Sequence, residues 1–217
     1  MHGKRQAVGQ VYPLSFKSTS GMQVSFLGGV GTPDSDKPIL LMINLVLQTA
    51  FLKGCLKPIS LLLLGRPGIG KSRLLSSLAN VNFVCYVNDI TPKYLVEFLE
   101  RVKRGEKRFL VIPDFTSCLS HGKSTRNVLV AILRSMTEEG VCDLSDYHLE
   151  FKSDFSVKAG LITATTNSSY DEFKRAWKGT GFLSRLLPFS FSHSVSTTCK
   201  IMDDIDAKRP DSIGNVK

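Results

Sequence analysis

Short apolar runs alternate with segments of helical spacing along most of the chain. The run "ISLLLL" at 59–64 is continuously apolar, which is typical of a strand buried on both faces of a sheet. Similar runs are "NFVCYV" at 82–87, "RFLVIPDF" at 108–115, "GLITATTN" at 160–167 and "LLPFSFS" at 186–192. Segments with helical spacing separate them. The alternation predicts an α/β fold with a mostly parallel sheet between two layers of helices, a three-layer arrangement.

Residues with known preferences for helix ends mark several of these helices. Thr91 is suited to the N-cap of the helix that follows it, and Pro92 to its first position. A helix from Lys37 to about Lys53 is followed by Gly54, a common stop signal. Further helices are predicted at 71–81, 124–140 and around 171–178.

One segment interrupts the alternation. Residues 142–160, "CDLSDYHLEFKSDFSVKAG", alternate polar and apolar positions in "YHLEF" and "FSV" on either side of a polar "KSD". This pattern predicts a β-hairpin inserted at about 141–159, with its turn at "KSD".

The chain divides into three parts by composition. Residues 1–36 are rich in Gly, Ser and Thr and predict an N-terminal arm that holds at most one hairpin. Residues 37–197 contain the alternating pattern and predict the folded core. Residues 198–217 form a polar tail.

Charge and cysteine content narrow the class of protein. The chain has 28 Lys and Arg against 19 Asp and Glu, a net charge of +9, which favours a polyanionic partner such as nucleic acid. Its five cysteines are odd in number and form no C-x-x-C pair, so we expect reduced thiols in a cytoplasmic protein. The longest apolar stretch, at 39–52, contains Asn44 and Gln48 and is shorter than the ~20 residues that span a membrane. It predicts a buried helix and no membrane association.

A glycine-rich segment follows the first strand directly. Residues 65–72, "GRPGIGKS", match G-x-x-x-x-G-K-S/T at every fixed position, between a predicted strand and a predicted helix. Glycines let successive backbone N–H groups turn inward towards phosphate. Lys71 is then expected to contact the β- and γ-phosphates of a nucleotide, and Ser72 to bind Mg²⁺ through its hydroxyl. The predicted binding segment comprises Gly65, Arg66, Pro67, Gly68, Ile69, Gly70, Lys71, Ser72 and Arg73.

Two alternatives to a hydrolytic site remain open for this segment. It could be a turn that matches by coincidence, or it could bind phosphate without hydrolysis. Hydrolysis needs a carboxylate that holds the metal or polarises the attacking water.

The candidate carboxylate is Asp114, at the end of "FLVIPD". The segment resembles the Walker B strand of the AAA+ ATPases, in which four apolar residues precede two acids. Here Pro113 occupies the position of the first acid, and Phe115 follows Asp114. Asp114 is then either the metal-binding acid shifted by one position or the water-polarising acid, and we favour the second. The alternative is an aspartate that caps a turn at the end of a strand.

Two later segments extend the resemblance to residues 37–195. "LITATTN" ends in Asn167 and resembles the sensor-1 strand, where a polar residue at the strand tip positions water. "GTGFLSRLLPFSF" resembles the arginine-finger segment, which implies that Arg185 acts on the nucleotide of a neighbouring subunit. Asn167 could instead be a turn residue, and Arg185 a surface ion pair.

The AAA+ resemblance implies several further properties. The five sheet strands, numbered along the chain, would take the order 5-1-4-3-2. The nucleotide would be ATP with Mg²⁺ bound at Ser72 and Asp114, and the protein would assemble into a ring, most often a hexamer. The inserted hairpin would correspond to one that touches DNA in some members, with Lys152 and Lys158 as candidate contacts. In the family a helical lid follows the fifth strand, and residues 198–217 are too few for it, so we expect the lid to be missing or truncated.

These features predict an oligomeric ATPase that acts on nucleic acid in replication, recombination or a mobile element. A nucleotide-gated binding or assembly module with little hydrolysis is the second hypothesis. A small P-loop kinase is the third, and the Arg185 segment argues against it.

Overall fold

The computed structural model of the chain describes residues 36–52, 57–146, 149–177 and 180–192, together with 16–17, 23–24 and 199. Seven strands belong to the folded core: β1 Ser60–Leu64, β2 Val84–Tyr86, β3 Phe109–Ile112, β4 Val141–Asp146, β5 Leu149–Val157, β6 Gly160–Thr165 and β7 Leu186–Ser190. Five of them form one sheet in the order β2-β3-β6-β1-β7, and every neighbouring pair is parallel. The predicted α/β fold with a mostly parallel sheet is confirmed.

The described residues also form six α-helices, which precede or connect the strands of the core: α1 Lys37–Gln48, α2 Lys71–Ser76, α3 Pro92–Lys103, α4 Phe115–Ser120, α5 Lys123–Thr137 and α6 Asn167–Trp177. Thr91 caps α3 as predicted, because its side chain accepts a hydrogen bond from the N–H of Tyr94. Helix α4 was not predicted: its residues, "FTSCLS", are short and rich in hydroxyl side chains, which have low intrinsic helix preference.

Successive side chains of the central strands pack against opposite layers of helices. Leu61 and Leu63 of β1 join a cluster with apolar residues of α1 and α2. Leu62 and Leu64 join a second cluster with residues of α3, α4 and α5. All five residues of β1 are buried, which explains why its sequence is continuously apolar rather than alternating.

The predicted hairpin is present, but its turn was placed wrongly. Strands β4 and β5 pair antiparallel, and "KSD" lies inside β5. Val141 pairs with Val157, whereas Asp143 pairs with Lys152, so the four residues 153–156 of β5 lie against the single residue Cys142 of β4. The polar residues therefore mark a bulge in the strand rather than the turn.

Three further features of the fold concern the edge of the sheet, the end of α1 and the length of the helices. Among the described strands, β7 is at the edge of the sheet, with Pro188 opposite Leu62 of β1. Helix α1 stops at Gln48 and continues as a 3₁₀ turn, Thr49–Phe51. Among the described helices, none has the length and apolar content needed to cross a bilayer.

Most of the predicted arm and tail cannot be compared with the structure. Within the arm, Phe16–Lys17 pairs antiparallel with Gln23–Val24. The rest of residues 1–35, and residues 198–217 apart from Cys199, lie outside the described residues. The domain boundaries therefore remain predictions.

One glycine of the sheet lies against an aromatic ring. A Cβ atom built on Gly160, at the start of β6, would lie 2.2 Å from the ring of Phe109. We expect Gly160→Ser to lower the free energy of unfolding by about 1–3 kcal/mol, because the packed core cannot admit the added atoms. The matched control is Gly122→Ser, where a Cβ would meet nothing within 4 Å and serine suits the N-cap of α5. Urea unfolding of both variants measures the difference, and equal midpoints would contradict the close packing.

Candidate functional site

The glycine-rich segment forms the loop between β1 and α2. Gly68 and Gly70 have φ angles of +76° and +88°, a left-handed conformation that other residues adopt only with strain. Gly65 is restricted by space instead, since a Cβ there would lie 3.1 Å from the carbonyl oxygen of Phe191. The spacing of the glycines in the motif therefore matches the backbone shape of the loop.

Lys71 folds back over this loop. Its Nζ donates hydrogen bonds to the carbonyl oxygens of Gly65, at 2.9 Å, and Arg66, at 2.8 Å. Partial burial lowers the pKa of the Lys71 ammonium below its usual value, while the charge of Asp114 acts in the opposite direction. A partly desolvated ammonium beside loop carbonyls gains from a nearby anion, so Lys71 is placed to bind one.

The neighbours of Lys71 differ in environment. Ser72 is exposed in the first turn of α2. Arg73 is also mostly exposed, and its guanidinium lies 3.1 Å from the carboxylate of Asp36, which is buried at the N-cap of α1. This ion pair links the start of α1 to the helix that follows the loop. Arg73 is thus held towards α1.

Asp114 forms hydrogen bonds to Thr116 and interacts with Lys71 through its charge. Its Oδ1 accepts hydrogen bonds from the backbone N–H of Thr116, at 3.0 Å, and from the Thr116 hydroxyl, at 2.6 Å. It therefore caps α4, the alternative considered from the sequence. Its charge also acts to raise the pKa of the Lys71 ammonium, so the carboxylate lies near enough to Lys71 to interact electrostatically. Pro113, at the position of the first Walker B acid, is buried.

Asn167 is not at the tip of a strand. Strand β6 ends at Thr165, and Asn167 is the first residue of α6, with an exposed side chain. Thr166 acts as the cap instead, since its Oγ1 accepts a hydrogen bond from the N–H of Ser169 at 3.2 Å. The predicted strand was therefore two residues too long.

Thr165 is the residue that the sequence interpretation missed. It is opposite Leu64, the last residue of β1 before the glycine-rich loop. The side chain is buried, and within the described part of the chain its hydroxyl has no hydrogen-bond partner. An unpaired buried hydroxyl costs about 1–3 kcal/mol, so this position favours a polar group supplied by a ligand. The sequence signal was a hydroxyl residue ending an apolar run.

Arg185 lies at the opposite edge of the sheet from the loop. It immediately precedes β7, which runs parallel to β1 with Leu186 opposite Ser60. The length of β1, five residues, separates the two edges by about 16 Å. The structure therefore does not bring Arg185 together with Lys71 and Asp114 of its own chain.

Carboxylates hold Arg185 at that edge. Its guanidinium lies 3.6 Å from Glu139 and 4.0 Å from Glu138, and 17% of its side chain is exposed. Glu138 also contacts Lys57 at 2.5 Å, and this hydrogen bond is the main cause that lowers the pKa of Glu138. Within one chain, Arg185 thus belongs to an ion-pair network.

A further polar group lies near the carboxyl ends of β2 and β3. The Oδ1 of Asp89 is 3.1 Å from Nε2 of His121, and the Ser117 hydroxyl donates to the carbonyl oxygen of Asn88. In the part of the chain that the structure describes, no three His, Cys, Asp or Glu side chains are grouped so as to hold a metal ion. A cation at this edge would therefore depend on a few protein oxygens together with those of a bound phosphate.

Comparison with known proteins does not assign the chain to a family. No family model matches the sequence, and no curated protein matches it.

Proposed function

We propose that the protein is an ATPase of the AAA+ class that binds and hydrolyses ATP and acts as an oligomer on nucleic acid. The conformation of Lys71 is the main support for nucleotide binding. Its partly desolvated ammonium lies over a loop whose glycines take left-handed or crowded positions, and the charge of Asp114 acts on it. Phosphate oxygens would be strong acceptors for this ammonium.

The topology of the sheet also supports this proposal. Counted over the five sheet strands, the observed order corresponds to the 5-1-4-3-2 order that the AAA+ resemblance implies. Strand β6 lies between β1 and β3, so the carboxyl ends of the three strands are adjacent. The glycine-rich loop, Thr165 and Asp114 follow or end these strands, and ligands of parallel α/β sheets bind at this edge.

Each proposed site residue has a chemical task. Lys71 would bind the β- and γ-phosphates, and Ser72 would offer its hydroxyl oxygen to Mg²⁺, which neutralises phosphate charge when bound. The second carboxylate oxygen of Asp114 is outside the α4 cap and could bind the cation or accept a hydrogen bond from the attacking water. Asn167 and Thr165 are the two candidates for positioning that water.

The oligomer is proposed from the resemblance of the Arg185 segment to an arginine finger. Since Arg185 lies at the amino edge of the sheet, away from the loop of its own chain, such a role would require a nucleotide bound to another copy. Arg185 would first have to separate from Glu138 and Glu139. Arginine supplied by a neighbour stabilises charge on the transferred phosphoryl group. The ring, its size and its DNA partner follow from the resemblance and the charge of +9.

A nucleotide-gated module with little hydrolysis is the second candidate. Pro113 leaves one acid in place of two, and the carboxylate of Asp114 already caps α4. ATP would then shift the protein between assembly states without rapid turnover.

Asp114→Asn distinguishes the two candidates. Asparagine is also a good N-cap, so α4 should persist while the negative charge is lost. If Asp114 serves hydrolysis, we expect ATP turnover to fall at least about 100-fold with the affinity for ATP nearly unchanged. The measurement is phosphate release against protein concentration, with and without single- and double-stranded DNA.

The control for this experiment is Asp143→Asn, which removes an exposed carboxylate from the hairpin. It should leave turnover as in the parent. ATP binding without turnover in the parent protein would favour the gated module, and full turnover in Asp114→Asn would overturn the role of this carboxylate.

A further inference from the structure

A cleft of about 170 Å³ opens at the amino edge of the sheet, beside the bulge of β5. Buried Val102 and Val157 contribute apolar surface to it, and Phe155, Arg108 and Lys158 also line it. Among the lining residues that the structure describes, none is a carboxylate. The cleft thus combines an aromatic ring with two cations.

The bulge exposes the aromatic ring. Phe155 lies among the four residues 153–156 that bulge out opposite the single residue Cys142 of β4, and 55% of its surface is exposed. The bulge is held at two points: the N–H of Phe155 donates to the Ser153 hydroxyl at 3.3 Å, and the Ser156 hydroxyl donates to the carbonyl oxygen of Glu139 at 2.6 Å. Bulges commonly redirect a side chain near a functional site.

The lining of the cleft carries positive charge. Within the described residues, neither Arg108 nor Lys158 has a carboxylate at ion-pairing distance. Of the nearby carboxylates, Glu106 is paired with Arg104 at 2.7 Å, and Glu138, whose charge interacts with Lys158, is paired with Lys57, whereas Asp154 adjoins Phe155 in the bulge. Three further lysines lie on adjoining segments: Lys103 on α3, Lys107 just before β3 and Lys152 on β5. An anionic partner is therefore favoured over a neutral or cationic one.

We propose that this cleft binds single-stranded nucleic acid, with a base stacked on Phe155 and backbone phosphates on Arg108 and Lys158. Exposed aromatic rings next to cations bind single strands because every base has a face for stacking. The cleft has room for a base but not for a duplex, whose bases are stacked on each other. This inference extends the nucleic-acid part of the proposed function and concerns a different edge of the sheet from the nucleotide loop.

Fluorescence anisotropy of nucleotide-free protein with labelled oligothymidylate, oligouridylate and a DNA duplex tests the proposal. We expect both single strands to bind more tightly than the duplex, and the ratio between them to show whether DNA or RNA is preferred. Phe155→Ala should weaken single-strand binding about 5- to 100-fold, whereas Phe155→Trp should retain it, because a tryptophan ring also stacks.

A salt titration tests the cations. Arg108→Gln and Lys158→Gln should each reduce the slope of log affinity against log salt by about 0.7. Lys93→Gln and Lys123→Gln, at exposed positions in the first turns of α3 and α5, are the matched controls and should leave the slope unchanged.

Three results would overturn the proposal that the cleft binds single strands. They are no single-strand binding by the parent, binding by Phe155→Ala equal to that of the parent, or a duplex bound as tightly as the single strands. Failure of the proposed ATPase is distinguishable from these. A protein that binds single strands through Phe155 but does not hydrolyse ATP contradicts hydrolysis alone. An active ATPase whose affinity for single strands does not depend on Phe155 contradicts the proposal for the cleft alone.

Discussion

Replacing Lys71 with alanine is expected to weaken binding of ATP with Mg²⁺ at least about 100-fold, because the variant loses a strong charge-assisted contact to phosphate in a partly desolvated position. The same variant should fold normally. Water can replace the two hydrogen bonds that Lys71 donates to loop carbonyls, so the free energy of unfolding should fall by only about 1 kcal/mol. Isothermal titration with a non-hydrolysable ATP analogue measures the affinity, and thermal unfolding measures the stability.

Lys93→Ala is the control, since it removes an exposed lysine from the first turn of α3. It should bind the analogue as the parent does. If Lys71→Ala retained parental affinity, the loop would be a turn that matches the motif by coincidence.

Arg185→Ala is expected to reduce ATP turnover about 1000-fold, the magnitude seen for an arginine that stabilises a phosphoryl transition state. Nucleotide binding should persist, because Arg185 lies at the edge of the sheet away from the loop. Phosphate release at a fixed protein concentration measures the loss.

Mixing variants tests whether the arginine acts between copies. Arg185→Ala supplies an intact loop, and Lys71→Ala supplies an intact arginine. When equal amounts are mixed at random, about one interface in four combines both intact parts, provided that contacts are head-to-tail. Turnover should then return although each variant alone is inactive. Continued inactivity of the mixture, with assembly intact, would assign Arg185 to the ion-pair network with Glu138 and Glu139.

The sequence was sufficient where one local property decides the structure. A five-residue apolar strand between helices is buried on both faces, and a loop with glycine at fixed positions needs left-handed φ angles. Both features of β1 and its loop follow from steric and hydrophobic preferences of neighbouring residues. The α/β class and the inserted hairpin were predictable for the same reason.

Local preferences were ambiguous at the site itself. Thr165, Thr166 and Asn167 are all compatible with a strand end or a helix cap, and only packing on β1 determines that the strand stops at Thr165. The "KSD" residues suit a turn or a bulge equally, because both need polar side chains.

The partners of Arg185 were not accessible from the sequence. Glu138 and Glu139 are about 46 positions away and meet Arg185 only because α5 ends at the same edge of the sheet at which β7 begins. The sequence could mark Arg185 as a candidate site residue. It could not show which carboxylates hold it.

The edge strand β7 has a consequence for how copies of the protein can associate. Since Phe191 donates its N–H to Leu64 of β1, alternation along the strand directs the nitrogen of Pro188 away from β1, towards the open side. That nitrogen has no hydrogen, so an incoming strand would find an acceptor without a donor to pair with. Pro188 thus disfavours continuation of the sheet into a strand of another copy, the kind of pairing that leads to open-ended aggregation.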